Sequence, residues 1–144
     1  MILFTPEMAK AILDGRKTVT RRRWKKPRVK VGSIHLAYTR PAFARPPGKP
    51  FARVRIVSVI HEDYPGHHTR REYEKPHSTG VNWWEDWIAD EARREGFASW
   101  TDFTWTYMNM HVTQKALCGG APSPMEEACY RVEFELMEAS DEVE

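Results

Sequence analysis

The sequence predicts an α+β domain, a small mixed or antiparallel β-sheet curled into a barrel with helices against its side. Three observations point there. Extended segments follow one another between Thr18 and Ile60 with no helical stretch to serve as a crossover. Two helical stretches then adjoin, Asn82 to about Glu95 and Trp100 to about His111. An alternating segment, Ala128 to Met137, closes the sheet near the end of the chain. The resulting order is β-α-β-β-β-α-α-β, and no internal repeat interrupts it.

Each element has a local cause. Ile2-Leu3-Phe4 is a short apolar run suited to a strand. Pro6 fits a first helical turn, because its missing N–H has no partner to lose there. Met8, Ala11, Ile12 and Leu13 make a helical stripe, and Gly15 can close that helix in the left-handed conformation. Thr18-Val19-Thr20 prefers extended backbone. Val31-Gly32 reads as a turn, and Ser33 to Thr39 as a strand. Arg40 to Pro50 carries four of the ten prolines and is a loop or hairpin tip. In Phe51 to Ile60, Val54, Ile56 and Ser58 alternate with Arg53, Arg55 and Val57, a half-buried strand. Asp63 to Gly80, with Pro65-Gly66, Pro76 and three histidines, is a long surface loop of the kind that often carries function.

Asn82 can cap the next helix, on which Trp84, Trp87, Ile88, Glu91 and Glu95 share a face. Gly96 ends it, and Ser99 can cap its successor, with Phe103, Tyr107 and Met110 on one side. Cys118 to Pro124 is loop. In the last strand Tyr130, Val132, Phe134 and Leu136 alternate with Arg131, Glu133 and Glu135. The expected organisation is one domain over residues 1–138 and an acidic tail over 139–144.

Composition narrows the classes of function. The 144 residues are 41% hydrophobic and 29% charged, which argues against disorder. No apolar run approaches the roughly 20 residues of a spanning helix. MILFTPEMAK lacks the basic start of a secretory signal, so a cytoplasmic setting without membrane partners is expected. Cys118 and Cys129 make no C-x-x-C pattern, so neither a zinc site nor a disulfide framework is expected. The net charge of +2 conceals an asymmetry. Residues 1–61 hold 15 Lys and Arg against Glu7 and Asp14, and residues 62–144 hold 7 against 18 acids. No acid occurs from Gly15 to His61. Either this field serves an anionic partner, RNA included, or the two halves neutralise each other across the fold.

The densest chemical signal is Gly15-Arg16-Lys17-Thr18-Val19-Thr20-Arg21-Arg22-Arg23-Trp24. A lysine crowded by guanidinium groups has a depressed pKa, and burial lowers it further. A neutral amine is a general base, and a nearby hydroxyl such as Thr20 is what such a base activates. Positions three apart on a regular strand face opposite ways, so Lys17 and Thr20 converge only if their junction is irregular. The plain alternative is an exposed basic strand. Glu95 is the second unusual placement: a carboxylate in the last turn of a helix opposes the dipole there. Solvation is the ordinary outcome for such a group, and facing Lys17 is the other. Facing Lys17, it would complete a nucleophile, base and orienting acid.

The remaining candidates have plainer readings. Trp83, Trp84, Trp87, Trp100, Phe103 and Trp105 stand at helical spacing and read as packing. Trp24, directly after three arginines, suits either packing or stacking on a base. His61, His67, His68 and His77 lack the spacing of a metal site and read as a solvated loop. Gly119-Gly120 lacks the further glycines of a phosphate loop.

ILDGRKTVTRR, the later VGS before a strand, EARREGFASWTDF at a helix junction and the final YRVEFEL resemble the ASCH domain of the PUA-like superfamily. The resemblance spans roughly Met1 to Met137, and its Gly-x-Lys-x-x-x-x-Arg motif falls on Gly15, Lys17 and Arg22. It implies a small curled β-barrel with flanking helices and binding of RNA or nucleotides. The wider group includes small amidohydrolases that cleave N4-acetylcytidine to cytidine and acetate. Their Lys then Thr three residues on matches Lys17 and Thr20, and their catalytic glutamate matches Glu95. The Arg40–Pro50 insert and the 63–80 loop depart from the smallest members.

By that resemblance Thr20 attacks the acyl carbonyl, Lys17 takes its proton, and Glu95 orients Lys17 and helps protonate the departing N4. Arg22, or N–H groups at the Gly15 turn, would hold the oxyanion, and Trp24 would join Arg22 in binding the base. No metal or cofactor enters this scheme. The alternatives are a non-catalytic RNA- or nucleotide-binding module relying on Arg21 and Arg23, and a nuclease built on the same cleft.

Overall fold

A computed structural model of the chain describes residues 1–67, 83–111, 117, 119–120 and 123–139. The elements follow the expected order. They are β1 (Ile2–Leu3), α1 (Pro6–Leu13), β2 (Val19–Arg22), β3 (Ile34–Tyr38) and β4 (Pro50–Glu62), then α2 (Trp83–Arg94), α3 (Trp100–His111) and β5 (Cys129–Ala139). One 3-10 turn, Pro124–Glu126, precedes β5 and was not legible beforehand; Ser123 and Glu126 cap it reciprocally. The expected cap at Asn82, most of the 63–80 loop, Cys118 and the tail beyond Ala139 lie outside the described residues. No helix among the described residues is long and apolar enough to cross a membrane.

The five strands form one mixed sheet in the order β1-β3-β4-β5-β2. β1 runs parallel to β3, and every other pair is antiparallel. Register shifts at Ala37/Tyr38, Arg53/Val54 and Ile56/Ser58 bend the sheet. The curl is that of a half-barrel, because the edge strands β1 and β2 do not pair with each other. A hydrogen bond crosses the gap: Arg22 Nη2 on β2 donates to the Leu3 carbonyl on β1 at 2.6 Å.

The core fills the concave side. Ile2, Phe4, Ile12, Val54, Ile56, Val132 and Phe134 are buried in one cluster, with Met8 and Leu13 of α1 against it. Helix α1 starts where Thr5 Oγ1 accepts from the Met8 N–H, with Pro6 at its first position. Gly15 leaves it at φ +77°, the left-handed turn its position requires.

The alternation of β5 holds only in part. Val132 and Phe134 point inward, but Leu136 is exposed and Arg131 is buried. Arg131 lies under α2, where its Nε donates to Glu91 Oε1 at 2.7 Å. The first half of β5 is therefore covered on both faces, one by apolar core and the other by a charged layer.

That layer is centred on Arg21. Its Nε donates to Glu62 Oε1 at 2.7 Å, its Nη1 to Glu95 Oε1 at 2.8 Å and its Nη2 to Glu91 Oε1 at 2.6 Å. Burial alone would lower the arginine's pKa, and the three carboxylates outweigh it and raise it. Burial likewise pushes the Glu91 carboxyl up, while Arg21 and Arg131 outweigh it and bring it down to about 2. Part of the charge asymmetry is thus resolved inside the molecule. Lys17 and Arg21 pair with Glu62, Glu91 and Glu95, Arg23 with Glu127, and Arg55 with Glu135. Four exposed cations, Lys25, Lys26, Arg28 and Lys30, follow closely in sequence between β2 and β3.

Two outcomes follow from this layer. Arg21→Met removes the cation that three buried carboxylates share and is expected to cost about 3–5 kcal/mol, read by chemical denaturation. A variant as stable as the wild type would contradict that placement. Glu91 has a depressed folded pKa, so its contribution is complete above the unfolded value and is lost as pH falls from about 4.5 towards about 2. Denaturation measured across that window should show stability falling with acid, and Glu91→Gln should flatten the slope.

Candidate active site

Lys17 does not belong to a strand. It sits in the turn between α1 and β2, where its N–H donates to the Ala11 carbonyl at 3.1 Å and the Thr18 N–H donates to the Arg94 carbonyl at 2.8 Å. The ends of α1 and α2 meet there. Gly96, at φ +91°, makes the approach possible: a Cβ would lie 3.2 Å from those of both Ala11 and Lys17. This irregular junction lets Lys17 and Thr20 line one cavity although three positions separate them.

The Lys17 side chain is buried, and its ammonium reaches three oxygens. They are the Val19 carbonyl at 2.7 Å, the Glu95 carbonyl at 2.7 Å and Glu95 Oε2 at 3.2 Å. The Glu95 carbonyl lies just past the end of α2, where main-chain acceptors lack helical partners, so Lys17 also caps that helix. Burial lowers the Lys17 pKa, Glu95 opposes it, and Arg22 and Arg21 add the smallest contributions. The depression expected from the sequence is present, but its chief cause is burial rather than neighbouring guanidinium groups. Three hydrogens on three acceptors is the pattern of an ammonium ion, with no lone pair turned to Thr20.

Glu95 departs from the ordinary outcome for a helix end. It is 3% exposed, with Oε1 accepting from Arg21 and Oε2 from Lys17. Two cations from the β2 segment overcome the unfavourable dipole. Thr20 is 6% exposed, and its Oγ1 accepts from Arg22 Nε at 3.3 Å. Positions 20 and 22 share a face of β2. The Arg22 guanidinium also lies 5.1 Å from the Phe4 ring centroid, and burial lowers its pKa against the pull of Glu95.

These groups line a cavity of about 460 Å³ beside the open edges of the half-barrel. Lys17, Thr20, Arg21, Arg22 and Glu95 supply its charged and polar wall. Leu3, Phe4, Met8, Phe97, Phe103 and Met110 supply an apolar one. Tyr107 and His111 of α3 complete it, their rings 4.6 Å apart. Burial lowers the His111 pKa, followed by the charges of Arg23 and Arg22.

Trp24 is not among the lining residues. Its ring lies 6.5 Å from that of Tyr130 and packs beside the core, the packing alternative of its two readings. The α3 residues Phe103, Tyr107 and His111 were missed as site residues, although Phe103, Tyr107 and His111 stand four apart on one helix face. Of the residues expected to pack, Trp87 and Phe103 are buried and Trp105 is 70% exposed. His61 and His67 approach Asp63 at the surface, and His68 and His77 lie outside the described residues. Among the described residues no group of three side chains could hold a metal ion. Burial and Glu62 push the Cys129 thiol up to about 12, which leaves it inert.

No family model matches the sequence, and no curated protein matches it. Solved structures do. An ASCH domain from Lactobacillus crispatus JV V101 superposes with a TM-score of 0.53 at 17% identity, over 90% of this chain and 69% of its own. A DUF984 protein from Enterococcus faecalis V583 gives 0.52 at 13% identity, over 99% and 84%. At such identities the likeness is one of architecture, and it agrees with the strand order and flanking helices described above: the chain has the ASCH-domain, PUA-like fold.

Proposed function

We propose that this protein is an amidohydrolase that removes the N4-acyl group of N4-acylcytosine nucleosides, with N4-acetylcytidine the simplest substrate. The observation that carries the reading is the meeting of Lys17, Thr20 and Glu95 in one cavity, although Lys17 and Glu95 stand 78 residues apart. The substrate class comes from the resemblance to the small ASCH-like amidohydrolases. The cavity suits it, with an apolar wall for a flat ring and an acyl group beside a polar wall for the reacting amide.

In this reading Thr20 Oγ1 attacks the acyl carbonyl. Lys17, held by its three acceptors, supplies fixed positive charge beside the developing alkoxide and oxyanion. Arg22 is the hydrogen-bond donor best placed for the oxyanion, because its Nε already reaches Thr20. The main-chain N–H groups of Gly15, Arg16, Lys17 and Thr18 are all spent on carbonyls, which removes the Gly15 turn as an oxyanion hole. Glu95 accepts from Arg21 and Lys17 and so fixes Lys17 in place. With both oxygens occupied, it is poorly placed to protonate the leaving N4.

A second reading, RNA binding without catalysis, rests on the exposed cations at Lys25, Lys26, Arg28 and Lys30. Arg21 and Arg23 no longer support it, since both are paired internally.

Incubation with N4-acetylcytidine, followed by the ultraviolet change to cytidine, tests the first reading. Thr20→Ala and Lys17→Met are expected to lower the rate by about 1000-fold or more while keeping a folded circular dichroism spectrum. A wild type without activity, or a fully active Thr20→Ala, would overturn it. For the second reading, reversing the charge of Lys25, Lys26, Arg28 and Lys30 together should abolish salt-dependent binding to single-stranded RNA. Unchanged binding would remove it.

A further inference from the structure

Acyl transfer from a threonine needs an acceptor for the Thr20 proton, and the cavity offers few. Lys17 has its three hydrogens on three oxygens. Both Glu95 oxygens are taken by cations. Arg21 and Arg22 are guanidinium groups without a basic lone pair. The Tyr107 phenol is a donor whose pKa burial and the adjacent Cys129 push up. Among the described residues that line the cavity, the imidazole of His111 is what is left.

Resting on the amidohydrolase reading, we propose that His111 is the general base and acid of this site, taking the Thr20 proton and returning it to the departing cytosine N4. Three features of the structure support it. His111 is the last residue of α3 and lines the same cavity as Thr20. Its position is fixed from both sides, with its ring against Tyr107 at 4.6 Å and its carbonyl accepting from Arg23 Nη1 at 3.1 Å. Arg22, whose Nε donates to Thr20, lines the same cavity as His111. The charged groups acting on the imidazole, Arg23 and Arg22 of the β2 segment, are both cationic and favour the neutral ring with a free lone pair.

The steps balance without a further reagent. The Thr20 hydroxyl proton passes to a His111 ring nitrogen as the bond from Oγ1 to the acyl carbon forms. The bond from that carbon to N4 then breaks, N4 keeps the electron pair, and the His111 proton goes to N4. Water follows the same route. It gives a proton to His111, its oxygen attacks the acyl-threonine, the ester bond breaks, and the proton returns to Thr20. Lys17 and Glu95 position and polarise the site and need not change protonation.

The test is the pH profile of kcat/KM on N4-acetylcytidine for wild type, His111→Gln and His111→Phe, the last keeping an aromatic ring beside Tyr107. Wild type is expected to lose rate on the acid side, with a midpoint below the ordinary histidine value. Both variants should lose about 100-fold or more of the rate near neutrality and lose that acid limb. His61→Gln, at an exposed position away from the cavity, should keep the wild-type profile. A folded His111→Gln with the wild-type rate and acid limb would overturn the assignment and leave the amidohydrolase reading standing. A wild type that does not hydrolyse the substrate would overturn both.

Discussion

The buried charge layer is the constraint on which the molecule depends. Arg21 gives three of its N–H groups to three glutamates, Arg131 gives two to Glu91, and Lys17 meets Glu95. Groups of this kind leave water only when every partner is supplied, and the partners here come from several elements. Glu62 ends β4, Glu91 belongs to α2 and Glu95 follows it, while the cations come from the β2 segment and from β5. Satisfying them fixes where α2 lies on the sheet more narrowly than apolar contact would, because hydrogen bonds to carboxylates tolerate little displacement. The layer that orders the fold also holds the Lys17 ammonium in the cavity that Thr20 lines.

Much of this was legible in the sequence. The alternation in β4, the stripe of α1 and the glycine exits at Gly15 and Gly96 have period and turn chemistry that a single chain displays. So did the gathering of Lys17 and Thr20 within one segment. The long-range partners were hidden. Nothing near Glu95 says that Lys17 lies beside it, because a helix-end glutamate facing water and one facing a buried cation have the same local pattern. Arg131 misled for the same reason: alternation predicts which face a residue takes, and it is silent on whether a second layer covers that face. Trp24 follows three arginines and suggested a stacking platform, yet its neighbour in space is Tyr130. His111 showed only as a helix-end residue, and its place in the cavity depends on how α3 crosses the open side of the sheet.

The open side matters for function. A closed barrel would pair β1 with β2 and fill the space between them with side chains. Here the two edges stay apart, Arg22 spans them, and α3 supplies Phe103, Tyr107 and His111 as the far wall. The cavity lies between the sheet edges and α3, and its polar groups sit on strand, turn and helix ends that the charge layer holds in place. Positioning of that kind suits chemistry in which a hydroxyl must attack without first reorganising its surroundings.

The central claim is that Thr20 becomes covalently acylated during turnover. Acid quenching of the wild-type protein mixed with N4-acetylcytidine, followed by peptide mass spectrometry, reads this step. One acetyl group on the peptide that contains Thr20, absent from Thr20→Ala, is the expected result. Turnover that continues with Thr20 unmodified throughout, or with the acetyl group on another residue, would contradict it.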